Sequence, residues 1–196
     1  MVYLSNESEE LMFSQINERL NYMSGRKYPD DIATTLSAIL RVNFDLAGLK
    51  PVFVGVYKRD PQNPRLTYPS AANTGGLSDG MCTALEGGII GRAIRTGTDQ
   101  YVPSVHADPD HHACDESMGG TELVFLGWPE KPFSNGKYKG KIVPVGVLDI
   151  DLNREYALSR YGVASVAEIW RKYTNQIFPG EAPFQPVEDF DSPRNP

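Results

Sequence analysis

The sequence is poor in cysteine: its 196 residues include only Cys82 and Cys114. Two cysteines are too few for a disulfide-stapled scaffold, and a chain of this length buries a hydrophobic core without covalent cross-links. If the two thiols matter, we therefore expect them to act through their reactivity rather than as structural bridges.

The sequence also lacks targeting signals and an excess of positive charge. It starts without a basic segment followed by an apolar stretch, and no apolar run reaches the length that spans a membrane. The 25 acidic side chains outnumber the 19 basic ones, which gives a formal net charge of -6. A net negative charge disfavours nucleic acid and anionic membrane surfaces as partners. We therefore expect a soluble, cytoplasmic protein that binds neither nucleic acid nor membranes.

Four segments have apolar residues at spacings of three and four, which is the period of an amphipathic helix. The predicted helices span residues 8–23, 30–43, 89–96 and 163–177. Ser8 is the predicted N-cap of the first helix, since serine accepts hydrogen bonds from free N–H groups there. Asp30 and Asp31 favour the start of the second, because acidic side chains stabilise a helix N-terminus.

Segments rich in β-branched and aromatic residues lie between these helices. The predicted strands span residues 52–57, 66–70, 100–105, 122–126 and 142–150. This order of elements predicts an α+β fold, with one antiparallel sheet and helices packed on one face. We divide the chain into an N-terminal helix at 1–29, a main domain at 30–178 and a proline-rich acidic tail at 179–196.

Residues 106–116 contain all three histidines and one of the two cysteines. One interpretation is a solvated acidic loop in which the histidines only titrate. A second is a metal site of His106, His111, His112 and Cys114, although no zinc-type spacing supports it. The third is that Cys114 is a nucleophile, whose oxidised form a second cysteine resolves as a disulfide.

Asp149 and Asp151 lie two positions apart in the otherwise apolar run Val145–Asp151, at the end of the last predicted strand. Side chains two positions apart in a strand point to the same face. The pair is either a strand end that emerges into water or a negative wall that binds an ammonium group. In the second case their mutual repulsion raises the pKa of one carboxyl group, and Glu122, on a neighbouring predicted strand, is placed to join them.

Five blocks of the sequence resemble GAF domains and, within that superfamily, the free methionine-(R)-sulfoxide reductases. The blocks are Gly88–Ala93, Gln100–His106, Ala113–Asp115, Thr121–Val124 and Gly146–Asp151. The resemblance covers roughly residues 30–175 and implies a loop-covered pocket on the sheet face opposite the helices. It also implies that Cys114 attacks the sulfoxide sulfur and that Cys82 resolves the resulting sulfenic acid.

The same resemblance assigns the substrate-binding residues. The carboxylates that hold the amino group of free methionine sulfoxide correspond to Glu122, Asp149 and Asp151, and the aromatic positions of the pocket correspond to Phe53 and Tyr57. It implies a thioredoxin-like dithiol as reductant and no flavin, nicotinamide or metal cofactor. A homodimer is expected through the first and last helices.

Two non-catalytic alternatives remain at this point. The GAF fold also serves as a ligand-binding module in which the cysteines are incidental, and a regulatory bridge between Cys82 and Cys114 would make the chain a redox sensor. Sensors usually adjoin an output domain, and we expect none after the last predicted helix.

Overall fold

The computed structural model describes residues 2–25, 28–59, 67–69, 87–111, 119–134 and 139–179. The helices in this part of the chain are α1 (Asn6–Asn21), α2 (Pro29–Leu46), α3 (Gly88–Thr96) and α4 (Arg160–Ile177). The strands are β1 (Val2–Tyr3), β2 (Pro51–Arg59), β3 (Thr67–Pro69), β4 (Gln100–Val102), β5 (Glu122–Gly127), β6 (Gly146–Leu152) and β7 (Tyr156–Ala157). No helix among these residues is long and apolar enough to cross a membrane.

Five strands form one antiparallel sheet in the order β3-β2-β6-β5-β4. β1 and β7 form a separate parallel pair, which the sequence did not predict. Residues directly opposite one another in an antiparallel ladder have their side chains on the same face. The strand register therefore assigns each side chain of the sheet to one of its two faces.

One face of the sheet is covered by α1, α2 and α4. Val54 and Val56 of β2 and Leu148 and Ile150 of β6 point to this side and join a single apolar cluster with the three helices. Trp170 of α4 is completely buried in it. Burial of this apolar surface is the main source of stability of the fold.

The opposite face is covered in part by α3. Ile89 and Ala93 of α3 belong to a second, smaller apolar cluster, together with Val124 and Leu126 of β5. The predicted α+β fold with an antiparallel sheet is confirmed, with α3 on the side away from the other helices. This second face also carries the polar residues described below.

The N-terminus of α4 is held by a residue of α1. Glu9 is fully buried, and its carboxylate accepts hydrogen bonds from the Ser159 backbone N–H, at 2.8 Å, and from the Ser159 hydroxyl. Ser159 Oγ in turn accepts a hydrogen bond from Gly162 N at 3.1 Å and caps α4. A Cβ at position 162 would lie 2.7 Å from Glu9 Oε2, so a larger residue there would force the Glu9 carboxylate to shift.

Two predicted details at helix starts are wrong. Ser8 is not the N-cap of α1: Ser5 is the cap, and its Oγ accepts a hydrogen bond from Ser8 N at 3.2 Å. The last helix begins at Arg160 rather than at 163, because Ser159 supplies its cap. In both cases the helix extends through a polar first turn, which the apolar period does not mark.

The predicted strands 100–105 and 142–150 differ from β4 and β6. β4 ends at Val102, before Pro103, which has no backbone N–H to donate to a ladder. β6 begins only at Gly146, because its partner β5 ends at Gly127, directly opposite. The proposed division into residues 1–29, 30–178 and 179–196 remains a prediction, and the tail beyond Pro179 lies outside the described residues.

Candidate functional site

Three carboxyl groups meet on the face of the sheet that carries α3. Glu122 of β5 lies directly opposite Asp151 of β6, and Asp149 lies two residues before Asp151 on the same face. One carboxylate oxygen from each of the three lies within 4.8 Å of the others. All three side chains are buried, with 6%, 3% and 7% exposure for Glu122, Asp149 and Asp151. We call these three residues the carboxylate triad.

Burial disfavours the charged form of each carboxyl group of the triad. Burial raises the pKa of Asp151 to about 7. Burial first, and then the charge of Asp151, hold the pKa of Asp149 and of Glu122 well above their usual ranges. A carboxyl group that keeps its proton near neutral pH is able to act as a general acid.

Two aromatic residues of β2 border the triad. Phe53 lies directly opposite Asp151, and Tyr57 lies on the same face, with 6.0 Å between the two ring centroids. Burial first, and then the charges of Asp149, Asp151 and Glu122, raise the pKa of Tyr57 well above its usual value. The triad and the two aromatic rings thus form one site with an acidic part and an apolar part.

Arg92 of α3 fixes the segment that follows β4. Its guanidinium binds both carboxylate oxygens of Asp108, at 2.8 and 2.7 Å, and also Asp110 Oδ2 at 3.2 Å. Arg92 Nε donates to Gln100 Oε1 at 3.0 Å. A bidentate arginine–carboxylate pair has a defined geometry, so this cluster anchors residues 105–111 on α3.

The Arg92 cluster is electrostatically coupled to the triad. The pKa of Glu122 is raised by the charge of Asp108 and lowered by that of Arg92, in addition to the effects of burial and of Asp151. The sequence does not predict this cluster, because no local rule pairs residues that lie 16 positions apart. The signal that was present is an arginine between the apolar residues of α3, together with two aspartates in the segment that follows β4.

The structure brings five of the predicted site residues to one face: Phe53, Tyr57, Glu122, Asp149 and Asp151. Their role in binding a ligand remains a prediction. Cys82 and Cys114 lie outside the described residues, and so does His112. Among the described residues, His106 and His111 join no group that is suited to hold a metal ion.

Comparison with known proteins gives matches at the level of structure. No family model matches the sequence, and no curated protein matches it. The X-ray structure of free methionine-R-sulfoxide reductase from Neisseria meningitidis, in complex with its substrate, has 20% identity and a TM-score of 0.67, covering 90% of this chain and 95% of that one.

Two further solved structures are similar to this chain. The reduced form of fRMsr of Staphylococcus aureus has 21% identity and a TM-score of 0.63, covering 86% of this chain and 94% of that one. A putative GAF sensor protein from Burkholderia vietnamiensis has 20% identity and a TM-score of 0.63, covering 87% of this chain and 98% of that one. Identities this low support the fold alone, and the chain has the α+β fold of the GAF domains.

Proposed function

We propose that this protein reduces free L-methionine-(R)-sulfoxide to methionine with electrons from thiols. The observation that carries the proposal is the buried carboxylate triad beside Phe53 and Tyr57. The triad matches the chemistry of a free amino acid, whose ammonium group needs negative partners when it leaves water. The aromatic rings suit the apolar methionine side chain.

The first chemical step transfers oxygen from substrate to enzyme. The Cys114 thiolate attacks the sulfoxide sulfur, and a carboxylic acid of the triad protonates the sulfoxide oxygen. The attack forms a bond between the two sulfur atoms. The protonated oxygen then moves to the Cys114 sulfur as its bond to the substrate sulfur and the sulfur–sulfur bond break, so that methionine leaves and Cys114 becomes a sulfenic acid. The sulfoxide sulfur gains two electrons, and the Cys114 sulfur loses them. The raised pKa of Asp149 and of Glu122 supports this role as proton donor.

Two thiol reactions complete the cycle. The Cys82 sulfur attacks the sulfenic acid and forms a Cys82–Cys114 disulfide, and the hydroxyl group leaves as water with the proton of the Cys82 thiol. A thioredoxin-like dithiol then reduces this disulfide by thiol–disulfide exchange, which suits the reducing cytoplasm. No flavin or nicotinamide takes part in this scheme, and the expected homodimer remains a prediction.

The alternative function is a non-catalytic GAF module that binds a small ligand or senses redox state. The similarity to a putative GAF sensor supports it at the level of the fold. Such a module needs the triad for ligand binding but does not consume its ligand. Turnover therefore separates the two functions.

The test is the loss of free L-methionine-(R)-sulfoxide in the presence of dithiothreitol. We expect multiple turnovers by the wild type, no loss of the (S)-isomer, and a rate at least about a hundredfold lower for Cys114→Ser, because the nucleophile is gone. Cys82→Ser should still release one methionine per chain in the absence of reductant. Absence of turnover by the wild type, or an unchanged rate in Cys114→Ser, would reject the proposal.

A further inference from the structure

The triad brings three buried carboxyl groups together, and none of them forms an ion pair within the described part of the chain. Among the described residues, no ion pair joins Glu122, Asp149 or Asp151 to a lysine or an arginine. Arg92, whose charge acts on Glu122, has its guanidinium bound to Asp108 and so is already paired. Uncompensated buried charge is costly, and a bound cation is one way to offset it.

One triad oxygen also lacks a hydrogen-bond partner. Asp149 is 3% exposed, and its Oδ1 atom makes no hydrogen bond within the described part of the chain. This carboxylate lies inside the triad, with an oxygen within 4.8 Å of oxygens from Glu122 and Asp151. A buried polar atom without a partner is destabilising, so its presence in the triad points to a bound ligand that supplies the missing partner.

The spacing of the oxygens indicates what kind of cation fits. Ca²⁺ holds oxygen ligands at about 2.3–2.6 Å, so two of its ligands lie at most about 4.6–5.2 Å apart. The triad oxygens, all within 4.8 Å, satisfy this limit. Mg²⁺ usually keeps several water ligands and is bound through one or two carboxylates, so a buried site of three carboxylates suits it less well. Carboxylate ligands favour hard cations such as Ca²⁺ and Mn²⁺, and Mn²⁺ can be followed by electron paramagnetic resonance.

We propose that the carboxylate triad is a binding site for one hard divalent cation, and that this cation and an amino-acid ammonium group exclude one another. The first part stands on the geometry of the triad alone, and the second part rests on the proposed function. The cation takes no part in the reduction. The cation binds the carboxylates that the ammonium group of the substrate needs, so calcium or manganese would inhibit the enzyme competitively.

The test of the site uses the wild-type protein after treatment with EDTA, without substrate or reductant. Titration with MnCl₂, followed by electron paramagnetic resonance of free Mn²⁺, should reveal one saturable site per chain. Asp149→Asn and Asp151→Asn should each weaken binding at least about tenfold, because each removes one anionic ligand. Glu130→Gln, which changes an exposed acid away from the triad, should bind as the wild type does. Circular dichroism confirms that each variant is folded.

Absence of saturable binding to the wild type at millimolar manganese would overturn the cation site, and so would binding to Asp149→Asn and Asp151→Asn that is as tight as binding to the wild type. A second titration adds L-methionine or N-acetyl-L-methionine to the manganese-loaded protein. Release of Mn²⁺ by methionine but not by its acetylated form supports mutual exclusion, and retention of Mn²⁺ overturns that part. Turnover is measured separately in EDTA, so a failure to detect the proposed reductase activity would not contradict the cation site.

Discussion

Asp151 gives the protein a pH-dependent stability at the scale of a single residue. Its pKa rises from 3.8 to about 7 on folding, because burial disfavours the charged form. The folded state holds this proton more tightly than the unfolded state does. The contribution of Asp151 to the free energy of unfolding is therefore fully present below about pH 4 and is lost as the pH rises through about 7.

We expect the Tm of the metal-free wild type to fall by roughly 5–10 °C between about pH 5 and about pH 7.5, since each pKa unit is worth about 1.4 kcal/mol. Asp151→Asn removes one of the three buried carboxyl groups with a raised pKa, so it should reduce this dependence and raise the Tm at the higher pH. The measurement is thermal unfolding in EDTA buffers across the range. Glu130→Gln should keep the wild-type dependence, and an equal slope in Asp151→Asn and wild type would contradict the assignment.

The sequence predicted part of the site at this scale. Alternation along a strand places Asp149 and Asp151 on one face, and strand pairing brings Glu122 beside them, as the structure has it. Their burial was not predictable, because an acid at a strand end is equally common in water. The pairing of Arg92 with Asp108 depends on how a loop returns to α3, and no periodicity encodes that path.

At the scale of elements, α1 and α4 are joined through Glu9. Its carboxylate accepts two hydrogen bonds from Ser159 in a fully buried position. A negative charge at a helix N-terminus is favourable, and hydrogen bonds to a charged group are worth about 1.5–3 kcal/mol. Loss of this contact leaves the Ser159 N–H without a partner inside the protein.

We expect Glu9→Ala to lower stability by about 2–3 kcal/mol and the Tm by roughly 5–10 °C. Gly162→Ala should act in the same direction, because its Cβ would displace the Glu9 carboxylate. Glu10→Ala, an exposed neighbour on the same helix, should stay within about 0.5 kcal/mol of the wild type. Denaturant unfolding measures all three. A Glu9→Ala variant as stable as Glu10→Ala would show that the contact contributes nothing.

The helices and the central strands were predictable from local patterns. Apolar residues at a period near 3.6 identified α1 to α4, and segments rich in β-branched and aromatic residues identified the central strands. The pair β1 and β7 was missed because strands of two residues carry no period. Ile142 was assigned to a strand by its β propensity, yet it is half exposed, because β5 offers no partner beyond Gly127.

At the scale of the whole molecule, the main apolar core and the carboxylate triad lie on opposite faces of the sheet. One face is apolar and is covered by α1, α2 and α4, whereas the other carries α3 and the triad. A buried cluster of acids costs stability, and the large apolar core offsets that cost. Solved structures with this fold include a reductase and a putative sensor, so the fold alone does not determine the function. The function has to be inferred from the residues on the face of the sheet that carries the triad.

The most direct measurement compares the rates at which the wild type reduces free L-methionine-(R)-sulfoxide and its N-acetyl derivative under identical thiol conditions. Both carry the same sulfoxide, but only the free amino acid presents an ammonium group to Glu122, Asp149 and Asp151. The account predicts that the free amino acid is reduced at least about a hundredfold faster, in keeping with the cost of burying unpaired charge. Equal rates on the two compounds, or reduction of neither, would contradict it.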